Sequence, residues 1–232
     1  MKTRILSVLF IAFFSFSLTQ GVNNDCETYY PIEKGMKWTY EEFNKKGKLT
    51  GTTKTFIKEV NTLTSKTEYV IEVSSIPAKP KKNEDTFKQD LTYYCENGKL
   101  SFDMKSFVPQ ESLESIEGQN FEVDQSNISI PKNLKTGDQL DDGFVSITMN
   151  GFKIITVNIT DRTVEKMESV TTKAGTFNCA LITYKSSAKI AFMTLKTTSK
   201  QWFSDKVGIV KSESYDKKGK LMSSQKLIQY SK

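Results

Sequence analysis

From Met36 to the C-terminus, apolar residues of this 232-residue chain recur at every second position. That period suits a pleated strand with one face in the core and the other in water. Tyr69, Ile71 and Val73 alternate with Glu68 and Glu72, and Ile155, Val157 and Ile159 alternate with Thr156, Asn158 and Thr160. Val, Ile, Thr, Phe and Tyr fill these runs, as a pleated surface favours. Two turns share one pattern: Asn44-Lys45-Lys46-Gly47 and Asp216-Lys217-Lys218-Gly219. Asn or Asp at the start and Gly at the end fit a type I turn closed by a left-handed glycine between hairpin strands. Glu96-Asn97-Gly98 and Asn150-Gly151 predict two further hairpins.

The expected fold is therefore all-β. A single domain holds about ten to twelve antiparallel strands, in a strongly curved sheet or open half-barrel. One short helix is expected near residues 109–117, where Pro109 can take the first helical position, Leu113 and Ile116 share a face and Gly118 can cap the end. Residues 77–85, with two prolines and three lysines, form a surface loop. The segment Lys189 to Thr197 departs from simple alternation, with Ile190 and Phe192 on one face and Ala191, Met193 and Leu195 on the other. A strand apolar on both faces must be covered on both, so it is expected to line an interior, either a cavity or a filled core.

The first twenty residues form an address. Lys2 and Arg4 precede an apolar run from Ile5 to Leu18, and small residues follow at the spacing a signal peptidase recognises. The run is about fourteen residues long, short of the roughly twenty needed to span a bilayer. Residues 1–20 are expected to be a cleaved signal peptide and 21–232 a single mature domain, secreted or periplasmic with no transmembrane anchor. Cys26 lies beyond Asn23, Asn24 and Asp25, too far from the apolar run to be acylated. Removing Lys2 and Arg4 from 33 basic residues leaves 31 against 27 acidic ones, a charge of +4. That modest, interspersed charge makes no case for nucleic acid.

An exported chain with three cysteines favours one bond and one leftover. Cys179 alternates with Phe177 and Leu181 and belongs in the core, whereas Cys26 and Cys95 sit in polar surroundings and are the expected disulfide.

Catalysis finds little to work with. The chain has no histidine, which removes Ser-His-Asp and Cys-His chemistry and His-ligated zinc. Ser186 with Lys189 and Ser223 with Lys226 have Ser-x-x-Lys spacing, but residues three apart in a strand face opposite ways. Asp138, Asp141, Asp142 and Gly143 lack the alternation of a calcium loop and form a solvated turn. Glu41 and Glu42, or Glu111 and Glu114, are surface acids. Tyr29, Tyr30, Tyr93 and Tyr94 lie near lysines, as a carbohydrate or single-strand binder requires, but at strand spacing they are cross-strand packing partners. Asn127-Ile128-Ser129 and Asn158-Ile159-Thr160 fit the glycosylation sequon, which carries no weight if the source is bacterial. No catalytic, cofactor or metal residue is assigned.

Three stretches occur in a telling order: Tyr30-Pro31-Ile32 with Gly35, Trp38 and Tyr40; Ala174 through Cys179; and Trp202-Phe203 with Val207 through Lys211. In this order they resemble the TapB-like family of exported bacterial β proteins of unknown function. The resemblance implies a rolled antiparallel sheet, akin to the half-barrels of lipoprotein carriers, in a Gram-negative envelope. It carries over no catalytic residue. Two roles follow as expectations: binding an apolar, lipid-like small molecule in the rolled sheet, or interaction with an envelope protein through a sheet edge or surface patch.

Overall fold

A computed structural model describes residue 26 and residues 33–80, 86–108, 110–114, 116, 118–190 and 193–232. The expected signal peptide (residues 1–20), Tyr29 to Ile32, Pro109, Ala191 and Phe192 lie outside them.

Among the described residues, fourteen strands form one antiparallel sheet. The first half contains β1 (Lys37–Asn44), β2 (Leu49–Thr62), β3 (Thr67–Pro77), β4 (Phe87–Glu96), β5 (Lys99–Phe102), β6 (Phe121–Ser126) and β7 (Ile128–Ile130). The second contains β8 (Gln139–Leu140), β9 (Gly143–Met149), β10 (Phe152–Thr172), β11 (Gly175–Ile190), β12 (Met193–Ser204), β13 (Gly208–Asp216) and β14 (Leu221–Ser231). The count exceeds ten to twelve because β5, β7 and β8 are too short to show alternation. Their pairing is set by tertiary neighbours.

Strand order runs β6-β9-β10-β11-β12-β13-β14-β1-β2-β3-β4-β5-β7, with β8 added on β10. The two ends of that path, β6 and β7, are consecutive in sequence and separated only by Asn127. The chain leaves one end of the sheet and joins the other, so the sheet is a nearly closed barrel. Gly143 in β9 permits this crossing. A Cβ there would sit 2.8 Å from the Ser126 carbonyl oxygen and 2.5 Å from Ile128 Cγ2, closer than packed atoms allow.

Alternation places Trp38, Tyr40, Ile57, Tyr69 and Ile71 inside, in a core that also takes Cys95, Ile182, Val210 and Leu227. Trp38 Nε1 donates to the Val207 carbonyl (2.7 Å) and Tyr40 Oη to that of Ile209 (3.0 Å). These bonds tie β1 to β13 across the intervening β14. Gly208, with φ +88°, makes the tight turn that presents those carbonyls.

A second core lies against β9 and β10, where Met104, Val108 and Ile116 cover Val145, Ile147 and Ile155. The covering chain contains a 3-10 turn, Met104–Phe107, and the short helix α1 (Gln110–Glu114). The helix was expected; the 3-10 turn was not. Asp103 opens that turn by accepting from Lys105 N.

The segment from Lys189 to Thr197 is not a single covered strand. β11 ends at Ile190 and β12 begins at Met193, with Ile190 paired to Met193. Met193 and Leu195 are 74% and 56% exposed. The stretch lies at a hairpin end and does not line an interior.

Cys26 and Cys95 are joined in a disulfide with Cα atoms 5.8 Å apart, and both are buried. Cys179 is free and buried, and burial pushes its thiol up to about 11. Alkylating the unfolded, unreduced mature protein is expected to add one label, at Cys179, and three after reduction. In the folded state at mildly alkaline pH, Cys179 should stay unmodified. Three labels without reduction would show that the bond does not form in solution.

Candidate functional site

The side chains with candidate chemistry are dispersed. Ser186 Oγ lies 2.6 Å from Thr197 Oγ1 across the β11–β12 pair, and Lys189 points the other way along β11. Lys226 lies over the Phe43 ring, on the face opposite Ser223. Glu41 pairs with Lys173 (2.6 Å), whereas Glu42 accepts from Thr53 on the other face of β1. Glu114 is in α1. Tyr93 stacks edge-on against Phe102 inside the sheet, and Lys66 sits 3.7 Å from the ring centroid of Tyr94 outside it.

The aspartates after β7 are structural. Asp138 accepts from Lys135 N, and Asp141 pairs with Lys99 and accepts from Ser129 Oγ. Those contacts hold the Asp141 carboxyl below its ordinary value. Among the described residues no three His, Cys, Asp or Glu side chains converge as metal ligands.

Arg162 sits at the centre of this region, almost fully buried at a bulge in β10. It donates from Nη1 to the carbonyls of Ser129 (3.0 Å) and Asp141 (2.6 Å). Burial lowers its pKa to about 10, so it remains charged at neutral pH. It thus links β10 to β7 and to the segment after β8, where the sheet closes on itself.

The surface is distinctive at one end. In an up-and-down sheet, alternate turns fall at the same end. Register pairs Asn44 with Ser223, Thr197 with Asp216, Ile190 with Ile155 and Gly51 with Pro77. The turns after β1, β9, β11 and β13, with the end of β3 and the start of β4, therefore share one rim. Most of the exposed large apolar side chains are there. Phe152 is 76% exposed, Met193 and Leu195 are beside it, and Leu49, Phe87 and Met222 continue the row.

The same turns carry exposed lysines: Lys45, Lys46 and Lys48 after β1, and Lys217, Lys218 and Lys220 after β13. Lys153, Lys189 and Lys196 flank the Phe152 and Met193 tips. None of these forms an ion pair among the described residues. Asn44 Oδ1 accepts from Lys46 N and Lys48 N, and Asp216 Oδ1 accepts from Lys218 N and Lys220 N. The two turns are thus built alike, and their polar openers are consumed internally. Two clefts open at this end. One, about 510 Å³, is lined by Asn158, Lys185, Ser187, Lys196, Thr198 and Lys217. The other, about 560 Å³, includes Lys48, Leu49, Pro77 and Lys79.

The sequence reading recognised both lysine turns as turns and missed their convergence. Scoring charge separately for odd and even turns would have found it. The opposite end mixes signs, with Lys66 and Glu68, Asp205 and Lys206, and Glu96.

Fold and surface together define a nearly closed, all-antiparallel β protein with a buried apolar core and a lysine-rich, apolar-tipped rim. The chain belongs to the DUF3108-like family, whose profile matches residues 33–227. A solved structure from Bacteroides fragilis, described as an exported protein with a YmcC-like fold, is 23% identical with TM-score 0.67. Another from Parabacteroides distasonis, described as a lipoprotein, is 27% identical with TM-score 0.66. In both comparisons the match covers 89% of this chain and 100% of the other. No curated protein matches the sequence.

Proposed function

We propose that the mature protein is an exported, non-catalytic interaction module of the bacterial cell envelope, working through the rim. The observation that carries this is the concentration of exposed Phe152, Ile190, Met193 and Leu195 at adjacent hairpin tips, since solvated side chains of this size rarely cluster without a contact to make. Export is supported by the leader and by the descriptions of the two similar structures. The TapB-like motifs belong to the same proposal and add a Gram-negative setting.

A contact through a sheet edge has less support, because β6 and β7 run into one another through Asn127. An acyl-chain carrier also has less support. It needs an empty concave face, and Trp38, Ile57 and Ile71 are fully buried there.

The test is fractionation of host cells. The parent is expected with the envelope, and Phe152→Ser with Met193→Ser should lower that association at least about tenfold, given the apolar area each tip can bury. Leu63→Ser, at the opposite end, should leave it unchanged. A rim variant that fractionates like the parent removes the rim from the function.

A further inference from the structure

We infer that the surface met by this rim is an anionic lipid bilayer, an assignment that rests on the rim being the contact face. Three observations carry it. First, the apolar side chains stand at the tips of separate hairpins, where Phe152 opens β10 and Met193 opens β12, with Leu49 and Met222 at the starts of β2 and β14. A folded partner would need a shape complementary to these separate tips and to the two clefts beside them. A fluid interface needs no such match, and tips of this kind sink into the boundary between headgroups and acyl chains.

Second, the charge on the rim is positive. Lys45, Lys46, Lys217 and Lys218 occupy the turns, and Lys153 and Lys196 flank the two most exposed tips. Asp216, the acidic residue of the β13–β14 turn, is held ionised by backbone N–H groups and offsets one of these charges, which leaves the lysines in excess. The distribution gives a net attraction to phosphate-bearing headgroups from one end of a molecule whose total charge is modest.

Third, the positive residues are all lysine. The chain has two arginines, Arg4 in the leader and Arg162 in the core. Specific protein interfaces enrich arginine and deplete lysine, because the guanidinium fork gives directional bonds. A lysine-only surface with aliphatic and aromatic tips instead suits diffuse attraction to many headgroups. The lysine stems can lie along the apolar tips while their ammonium groups stay at headgroup level.

The experiment is co-sedimentation of the mature protein with phosphatidylcholine vesicles, with and without phosphatidylglycerol, at low and high salt. Binding is expected with phosphatidylglycerol at low salt, falling as salt screens the charges. Each of Lys196→Gln, Lys217→Gln and Lys218→Gln should weaken it about fivefold, from a contribution near 1 kcal/mol per basic residue. Phe152→Ser with Met193→Ser should abolish it, and Lys66→Gln at the other end should not change it. Apart from the half-buried Lys66, these positions are exposed, and an unchanged thermal melt will show that the variants fold. Equal binding to both vesicle types, or equal loss from Lys66→Gln, overturns the assignment. If the parent ignores vesicles while the tip variant still loses envelope association in cells, the lipid assignment fails and the rim remains a contact face for a protein or glycan.

Discussion

Trp38→Ala is expected to destabilise the protein by about 3–5 kcal/mol in urea unfolding, the range for removing a buried Trp side chain. Trp38 is almost fully enclosed, facing Tyr230 on one neighbouring strand and Thr55 on the other. Its indole also bonds the Val207 carbonyl, so truncation creates a void and orphans an acceptor together. Trp38→Phe keeps most of the apolar area and loses only the bond, at about 1–2 kcal/mol. Tyr40→Phe, whose bond to Ile209 is less buried, should cost about 1 kcal/mol. Since a domain is typically stable by only about 5–15 kcal/mol, the alanine variant will approach unfolding at moderate denaturant. Equal stability of Trp38→Ala and Trp38→Phe would show that the indole does not fill the interior described here.

Much of this architecture was legible in the sequence. Alternation at Tyr69, Ile71 and Val73 marked β3, and the Asn44 and Asp216 turns marked two hairpins with the correct closing glycines. Those signals are local: one face of one strand, or four consecutive residues. The break between β11 and β12 was missed for a related reason. Period-2 alternation is blind to chain direction, and no Gly, Pro, Asn or Asp between Lys189 and Thr197 marks a reversal. An apolar pattern on both faces then looked like a strand enclosed in oil. It is a hairpin end with Met193 and Leu195 in water. The rim itself could not be seen in any window, because its residues lie as far apart as Lys45 and Lys218. Only the parity of turns in an up-and-down sheet brings them together. Arg162 was overlooked because a lone arginine in a strand normally faces solvent; its burial depends on β7 and β8, which are too short to predict.

Arg162→Ala is expected to open the barrel seam and lower stability by about 3 kcal/mol or more. The substitution leaves the buried Ser129 carbonyl and the part-buried Asp141 carbonyl without their donor, and each such group costs about 1–3 kcal/mol where water cannot take the donor's place. Arg162→Met restores most of the volume but neither bond, so it should fall between the parent and Arg162→Ala. Arg162→Lys keeps the charge but replaces a planar fork with a single ammonium, and it is also expected to lose stability. Hydrogen exchange gives the location: the amides of β7 and the segment around Asp141 should exchange faster in Arg162→Ala, while β2 and β3 change only with global stability. Acid should act on the same seam through Asp141. Its carboxyl is lowered below the ordinary 3.8 by Lys99 and Ser129, so its contribution is fully present above that value. It is lost as pH falls through the lowered folded value, and the seam should therefore persist at pH values where unpaired carboxylates begin to protonate. If Arg162→Met matched the parent in stability and in exchange at β7, closure would rest on packing around Gly143 and Ile128 alone, and the buried guanidinium would have no part in holding the two ends of the sheet together.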